Sequence, residues 1–322
     1  MADVAYVFPG QGSQRVGMGR DLYDRWPELI GDHYRSADDI LGLPLSRICW
    51  EGPADTLRDT AITQPAILLT SVVTWEVLRA HGLAPDVVAG HSLGEYAALV
   101  CAGALDWADA LRLVRLRGEL MAGVNRRVPG GMAAVMGLEL AKVEEICAAV
   151  TAGTGRLAEV ANDNEPGQIV VSGQTEAVDG VMRAAREAGA AKTVALKVGA
   201  PFHSSLMRDI EDRFAEALAG VRFRDPAVPF VSSVTAEPVT RAEDVVACLR
   251  AQLAARVRWT GTVTRTHAAG ADRFVEVGPG RVLGGLCRRI VPGALTYRTD
   301  DAERLAEVID AFAAQGPAGQ AA

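Results

Sequence analysis

Residues Gly90-His91-Ser92-Leu93-Gly94 hold a serine in the spacing G-x-S-x-G. Between a strand and a helix this spacing makes a sharp turn that pushes the serine hydroxyl into the open. The glycines are needed because the backbone crowds itself there. The turn also sets Ser92 at a helix N-terminus, where free N–H groups and the helix dipole favour developing negative charge. The implied chemistry is nucleophilic catalysis; the plainer alternative is that Ser92 only caps the helix that follows. A serine nucleophile needs a base, and histidine titrates near neutrality. Of five histidines, His91 adjoins Ser92 and should point elsewhere across the turn, and His33, His81 and His267 have polar, surface-type surroundings. His203 lies in Gly199-Ala-Pro-Phe-His-Ser-Ser205, a Pro-broken loop after a strand. Loops held by strand ends carry catalytic groups, so His203 is the candidate base, against an ordinary loop histidine. A standard α/β-hydrolase places its histidine late in the chain; here more than 100 residues follow His203.

A third residue stands out by its phase. In the helix beginning at Trp107, Ala110, Leu113, Val114 and Met121 form one stripe at 100° per residue, with Arg112, Arg115 and Glu119 opposite. Arg117 falls within the apolar stripe. A core-facing guanidinium needs an anionic or multiply hydrogen-bonding partner. That partner is either an internal Asp or Glu, or a substrate carboxylate held by the planar fork.

The elements that must position these groups alternate along the chain, which predicts an α/β architecture. Val4–Phe8 reads as a buried strand running into the loop Pro9-Gly-Gln-Gly-Ser13. Thr63-Gln-Pro-Ala66 should start a helix, with Thr63 as cap and Pro65 in the first turn. Asp86–Gly90 reads as a strand, Leu93–Ala104 as a helix, and Asp106 as the cap of a helix through Met121. From residue 128 to 198 the order is β-α-β-β-α-β, the ferredoxin-like pattern. The expected organisation is a large α/β domain, residues 1–127 and 199–314, with a small domain, 128–198, inserted in it, and a flexible tail, 315–322.

Composition narrows the function. The 322 residues are 49% apolar and 23% charged, with 33 Lys+Arg against 40 Asp+Glu, a net charge of -7. Such a chain is a poor general nucleic-acid binder. The five cysteines are scattered with no C-x-x-C, and no histidine spacing suits a metal, so reduced thiols and no metal are expected. No apolar run is expected to span a membrane and the start lacks an export signal, which together predict a cytoplasmic protein.

Taken together, Phe8-Pro-Gly-Gln-Gly-Ser-Gln14, Thr63–Ala66, Gly90–Tyr96, Val114–Met121, Asn162-Asp-Asn-Glu-Pro-Gly-Gln168, Ala200–Met207, Gln252 with Val257-Arg-Trp259, and Glu276–Gly280 resemble the malonyl-CoA:acyl carrier protein transacylases and related polyketide synthase acyltransferases. The motifs span nearly the whole chain. The resemblance implies a hydrolase-like large domain with a ferredoxin-like insertion. It implies Ser92 as the acylated nucleophile, His203 as base, Gln252 orienting His203 through an oxygen, and backbone N–H groups of Gln11 and Leu93 as oxyanion hole. Arg117 would bind the malonyl carboxylate, Phe202 would disfavour a 2-methyl branch, and His91 and Asn162 would complete the substrate site. No cofactor is implied beyond CoA as leaving group, and the family suggests a monomer. The partner would be an acidic carrier protein, docking at a basic patch such as Arg126-Arg127, Lys192 with Lys197, or Arg288-Arg289. Arg256 and Gly199 depart from the family's usual proline and serine. The rivals are a polyketide acyltransferase acting in trans on a substituted malonyl unit, a proofreading acyl hydrolase, which should lack the Arg117 clamp, and an inactive scaffold.

Overall fold

In the computed structural model, which describes residues 3–198 and 200–314, the strands are β1 (Val4–Phe8), β2 (Val87–Gly90), β3 (Gly130–Met136), β4 (Ala158–Glu165), β5 (Gln168–Gln174), β6 (Lys192–Ala195), β7 (Phe230–Val231), β8 (Pro238–Val239), β9 (Val257–Arg258), β10 (Arg273–Glu276) and β11 (Leu295–Arg298). They form two sheets. The larger runs β11-β10-β1-β2-β7-β8 and is parallel except for the β7–β8 pair. β1 lies inside it with every residue buried. Tyr6 and Phe8 enter one apolar core and Ala5 and Val7 the other, so a parallel strand covered on both faces reads as an unbroken apolar run.

β2 delivers the turn to Ser92. An added Cβ at Gly94 would sit 2.0 Å from the Phe8 carbonyl oxygen, and one at Gly90 2.1 Å from the Glu95 nitrogen. Both obstacles are backbone and cannot swing aside. Gly94→Ala should therefore lower the thermal unfolding temperature or prevent soluble accumulation, since overpacking costs about 1–3 kcal/mol even where side chains can adjust. An unchanged melting curve would contradict the close approach of β1 to this turn.

The helix Thr60–Ala80 starts earlier than its proline suggests. Asp59 caps it by accepting from the Ala61 N–H, while the Thr63 hydroxyl donates to the Leu57 carbonyl. Pro65 therefore lies inside the helix and cannot bond the Ala61 carbonyl. Arg115 donates to that carbonyl at 2.9 Å and makes the internal proline tolerable. By length and composition this 21-residue helix could cross a bilayer, contrary to the expectation that no segment would; its apolar window is 78% buried in the protein interior. The helix after Ser92 spans Gly94–Cys101, shorter than expected, and the one capped by Asp106 runs on to Arg127.

The smaller sheet runs β6-β3-β5-β4-β9. Its first four strands are mutually antiparallel and carry the helices Leu140–Thr154 and Thr175–Glu187. The sheet contains a strand the expected boundaries left out: β9 pairs in parallel with β4, Asn162 opposite Val257 and Asp163 opposite Arg258. Residues 128–198 thus complete their sheet with a strand from the chain beyond His203. The expected tail, 315–322, and the departure at Gly199 lie outside the described residues.

Candidate active site

Ser92 holds φ 52°, a left-handed conformation that non-glycine residues seldom adopt. Strain of this kind persists where the surroundings fix it, and here the two glycines and β1 do so. His203 also has a positive φ, 56°. The two side chains meet across 111 positions of sequence, with Ser92 Oγ 2.7 Å from His203 Nε2. His203 Nδ1 lies 2.9 Å from the Gln252 carbonyl oxygen and 3.1 Å from that of Ala255. Both are acceptors only, so Nδ1 carries the hydrogen and Nε2 presents its lone pair to the serine hydroxyl. Burial, and next the Arg117 charge, pushes the imidazole down to about 3. The ring is therefore neutral and able to accept a proton.

That shift fixes a pH prediction. A base must be neutral to act, so a depressed pKa extends its activity to lower pH. Sulfonylation of Ser92 by an uncharged sulfonyl fluoride should keep its rate well below the ordinary histidine range before the acid limb appears. A limb centred near 6.5, the unperturbed histidine value, would contradict the burial argument.

Arg117 is 1% exposed and turns toward the same spot. Its Nη1 donates to Gln64 Oε1 at 2.9 Å; its Nη2 donates to Gln252 Oε1 at 3.0 Å and to Ser92 Oγ at 3.1 Å. Nε has no partner. Among the described residues no carboxylate forms an ion pair with it, so the direct internal Asp or Glu partner allowed by the sequence is not found. The guanidinium is instead held by neutral oxygens beside the candidate nucleophile.

The remaining predicted residues gather around these three. A cavity of about 510 Å³ is lined by Gln11, His91, Ser92, Leu93, Arg117, Asn162, Phe202 and His203, and closed by Met132, Leu196, Leu283 and Leu286. The backbone N–H groups of Leu93 and Gln11 find no acceptor among the described residues. The Gln11 side chain turns away to Thr60. His91 Nε2 lies 2.9 Å from Asn164 Oδ1, and its ring packs edge-on to Trp259. Burial lowers its pKa as well. Asn162 is buried with an unpaired Oδ1. Gln252 supports His203 with its main-chain oxygen, while its side chain does something else: Nε2 donates to the Ser92 carbonyl at 3.0 Å and to Glu95. Arg256, a departure from the family pattern, pairs with Glu144 and is not among the residues lining this cavity.

Sequence reasoning gave no role to Gln64, Glu95 or Asn164, although all three lie in motifs it singled out. Glu95 is fully buried and accepts from Ser233 N–H at 2.5 Å, from the Ser232 hydroxyl at 3.1 Å and from Gln252. Burial lifts its carboxyl to about 7 against the pull of those hydrogen bonds. Of the suggested docking cations, Lys197 lines the cavity, while Arg127 lies near Asp209 and Arg289 pairs with Glu165. Among the described residues no cluster of His, Cys, Asp or Glu could hold a metal ion.

This arrangement can acylate and deacylate a serine while holding a carboxylate beside it. The model of the acyl transferase domain matches residues 5–290. A malonyl CoA-acyl carrier protein transacylase of Bacillus subtilis (strain 168) is 40% identical over 308 residues, 95% of this chain and 96% of that protein. One from Escherichia coli O157:H7 is 42% identical over 292 residues, 90% of this chain and 94% of that protein. A malonyl-transacylase solved in complex with AntF, a holo type II polyketide synthase acyl-carrier protein, superposes with a TM-score of 0.92 at 39% identity, covering 96% of this chain and all of that one. With its motifs in order along the chain, this protein belongs to the acyl transferase family, among the malonyl-CoA:acyl carrier protein transacylases.

Proposed function

We propose that the protein is an acyl carrier protein S-malonyltransferase that moves a malonyl group from malonyl-CoA to the phosphopantetheine thiol of a carrier protein through a malonyl-Ser92 intermediate. The observation that carries the reading is Arg117: a buried guanidinium with no direct carboxylate partner among the described residues, 3.1 Å from Ser92 Oγ. A group with a free carboxylate next to a thioester fits such a clamp. A hydrolase of neutral acyl groups would have no use for it.

In this reading Ser92 attacks the malonyl thioester and His203 takes the serine proton. The oxyanion is met by the N–H groups of Leu93 and Gln11. The intermediate collapses, and CoA leaves with the proton from His203. The carrier thiol then gives its proton to His203, attacks the malonyl-serine and returns the hydroxyl to Ser92. Gln252 keeps the imidazole in the right tautomer through its carbonyl. Phe202 limits room beside the acyl group, and His91 and Asn162 line the same cavity. In this reading an acidic carrier approaches beside Lys197, which lines the cavity.

We read the fold as a hydrolase-like large domain, 1–127 with 199–314, and a ferredoxin-like subdomain, 128–198. The strand order β6-β3-β5-β4, antiparallel with two helices, supports the second label. The strand–Ser92–helix turn after β2 supports the first. The protein is read as a cytoplasmic monomer without a cofactor; its five cysteines are buried and none bridges another, which agrees with that compartment. The carrier belongs to fatty acid or polyketide synthesis, the latter favoured as a second reading by the AntF complex of the similar transacylase.

Intact mass after mixing with malonyl-CoA, and then with a holo carrier protein, tests the reading. A malonyl adduct that is absent in Ser92→Ala and discharged by the carrier is expected. Rapid CoA release without adduct would make the protein a hydrolase.

A further inference from the structure

Arg117 and Glu95 are both buried, and neither has a partner of opposite charge in direct contact among the described residues. One amide stands between them. Gln252 turns Oε1 to the guanidinium and Nε2 to the carboxylate. Its orientation is fixed from both sides, because the guanidinium can only donate and the carboxylate only accept. The third contact, Nε2 to the Ser92 carbonyl at 3.0 Å, agrees with that orientation. The amide dipole thus lies along the field between cation and anion. Tyr96, whose ring centroid is 5.9 Å from the guanidinium carbon, supplies no counter-charge, because burial keeps its phenol protonated.

We infer that Glu95 is the internal counter-ion of Arg117, acting through the Gln252 amide, and that it is a positioning residue for recognition of acyl groups bearing a carboxylate. The inference rests on the malonyl-transfer reading for its substrate and on this geometry for the charge pair. A buried cation needs a compensating charge to be stable. A carboxylate in direct contact would occupy the donors that a substrate needs. A carboxylate one amide away neutralises the guanidinium and leaves its fork ready, with only neutral acceptors to displace. Ser232 and Ser233 hold Glu95 on its far side, so the carboxylate does not swing in and take the substrate's place.

The test is a double-mutant cycle of Glu95→Gln and Arg117→Met with two readouts, taken at about pH 8 so that the carboxyl is ionised. The first is the ratio of malonyl to acetyl loading by intact mass, with KM and kcat for malonyl-CoA. Glu95→Gln should lower the ratio roughly tenfold, chiefly through KM, and should lower it no further once Arg117 is Met. A ratio equal to the parent's, or a second full loss in the double variant, would overturn the inference. The second is thermal stability without substrate. Glu95→Gln should destabilise the parent, by leaving the guanidinium uncompensated, and should stabilise the Arg117→Met protein, by removing a stranded carboxylate. The same sign in both backgrounds would refute the pairing. Where Glu95→Gln alone fails to fold, the double variant should recover folded protein, and failure to recover it counts against the pairing. A parent that loads no malonyl group would sink the functional reading while the stability cycle still decides the charge pair.

Discussion

His203→Ala is expected to slow acylation of Ser92 by malonyl-CoA about 10²–10⁴-fold, the usual contribution of a positioned general base. The size follows from the geometry. Nε2 is 2.7 Å from the serine oxygen, and two carbonyls hold the proton on Nδ1. The imidazole is neutral without any outlay of energy to discharge it. Removing it leaves the cavity, the Leu93 and Gln11 N–H groups and Arg117 in place, so the loss should fall on kcat with little change in KM. Rapid-mixing measurement of CoA release reads it directly. A rate close to the parent's would mean that some other group takes the proton. His91 would then be the next to examine, although its ring nitrogen is engaged by Asn164.

Arg117→Ala should cost malonyl loading on the order of 2–4 kcal/mol in kcat/KM, about 30- to 1,000-fold, as expected for a buried charged pair losing one partner. Acetyl loading should fall far less, so the preference between the two acyl groups reverses. Competition between malonyl-CoA and acetyl-CoA, read by intact mass, measures the ratio in one tube. Arg117→Lys should recover only part of the loss, because an ammonium lacks the planar fork that engages Gln64, Gln252 and a carboxylate together. Equal losses for both acyl groups would make Arg117 a support of the Ser92 turn and not a clamp.

Part of this site is legible in the chain because it is local. Glycines at 90 and 94 announce a turn, and the crowding that requires them occurs within a few residues and one neighbouring strand. Arg117 betrays itself by helical phase alone. The β-α-β-β-α-β order of residues 128–198 is likewise local, and its four strands lie together in one sheet, β6-β3-β5-β4-β9. Other features depend on distant partners and leave no local trace. Pro65 looks like a helix start until Arg115, fifty positions away, accounts for the orphaned carbonyl of Ala61. β9 is two residues long and is a strand only because β4 lies beside it. The Gln252 side chain engages Ser92 and Glu95, some 160 residues earlier. Its double use, backbone oxygen to the histidine and amide to the arginine, cannot be read from an isolated glutamine.

The support behind His203 has an energetic consequence. A buried carboxylate behind an imidazole stabilises the protonated ring. Two neutral carbonyls do so less, and the charge of Arg117 opposes it. An imidazolium formed at this site would therefore be more acidic than a free one and would give its proton back readily. Amine and alcohol leaving groups depend on such a proton being held and delivered, whereas a thiol, with a pKa of about 8.5, departs with little assistance. Both ends of the proposed exchange are thiols, and one thioester replaces another with almost no net change in free energy. On the proposed reading the site is a two-way exchanger: the ratios of acylated to free CoA and of acylated to free carrier, and not the enzyme, set the direction of flow.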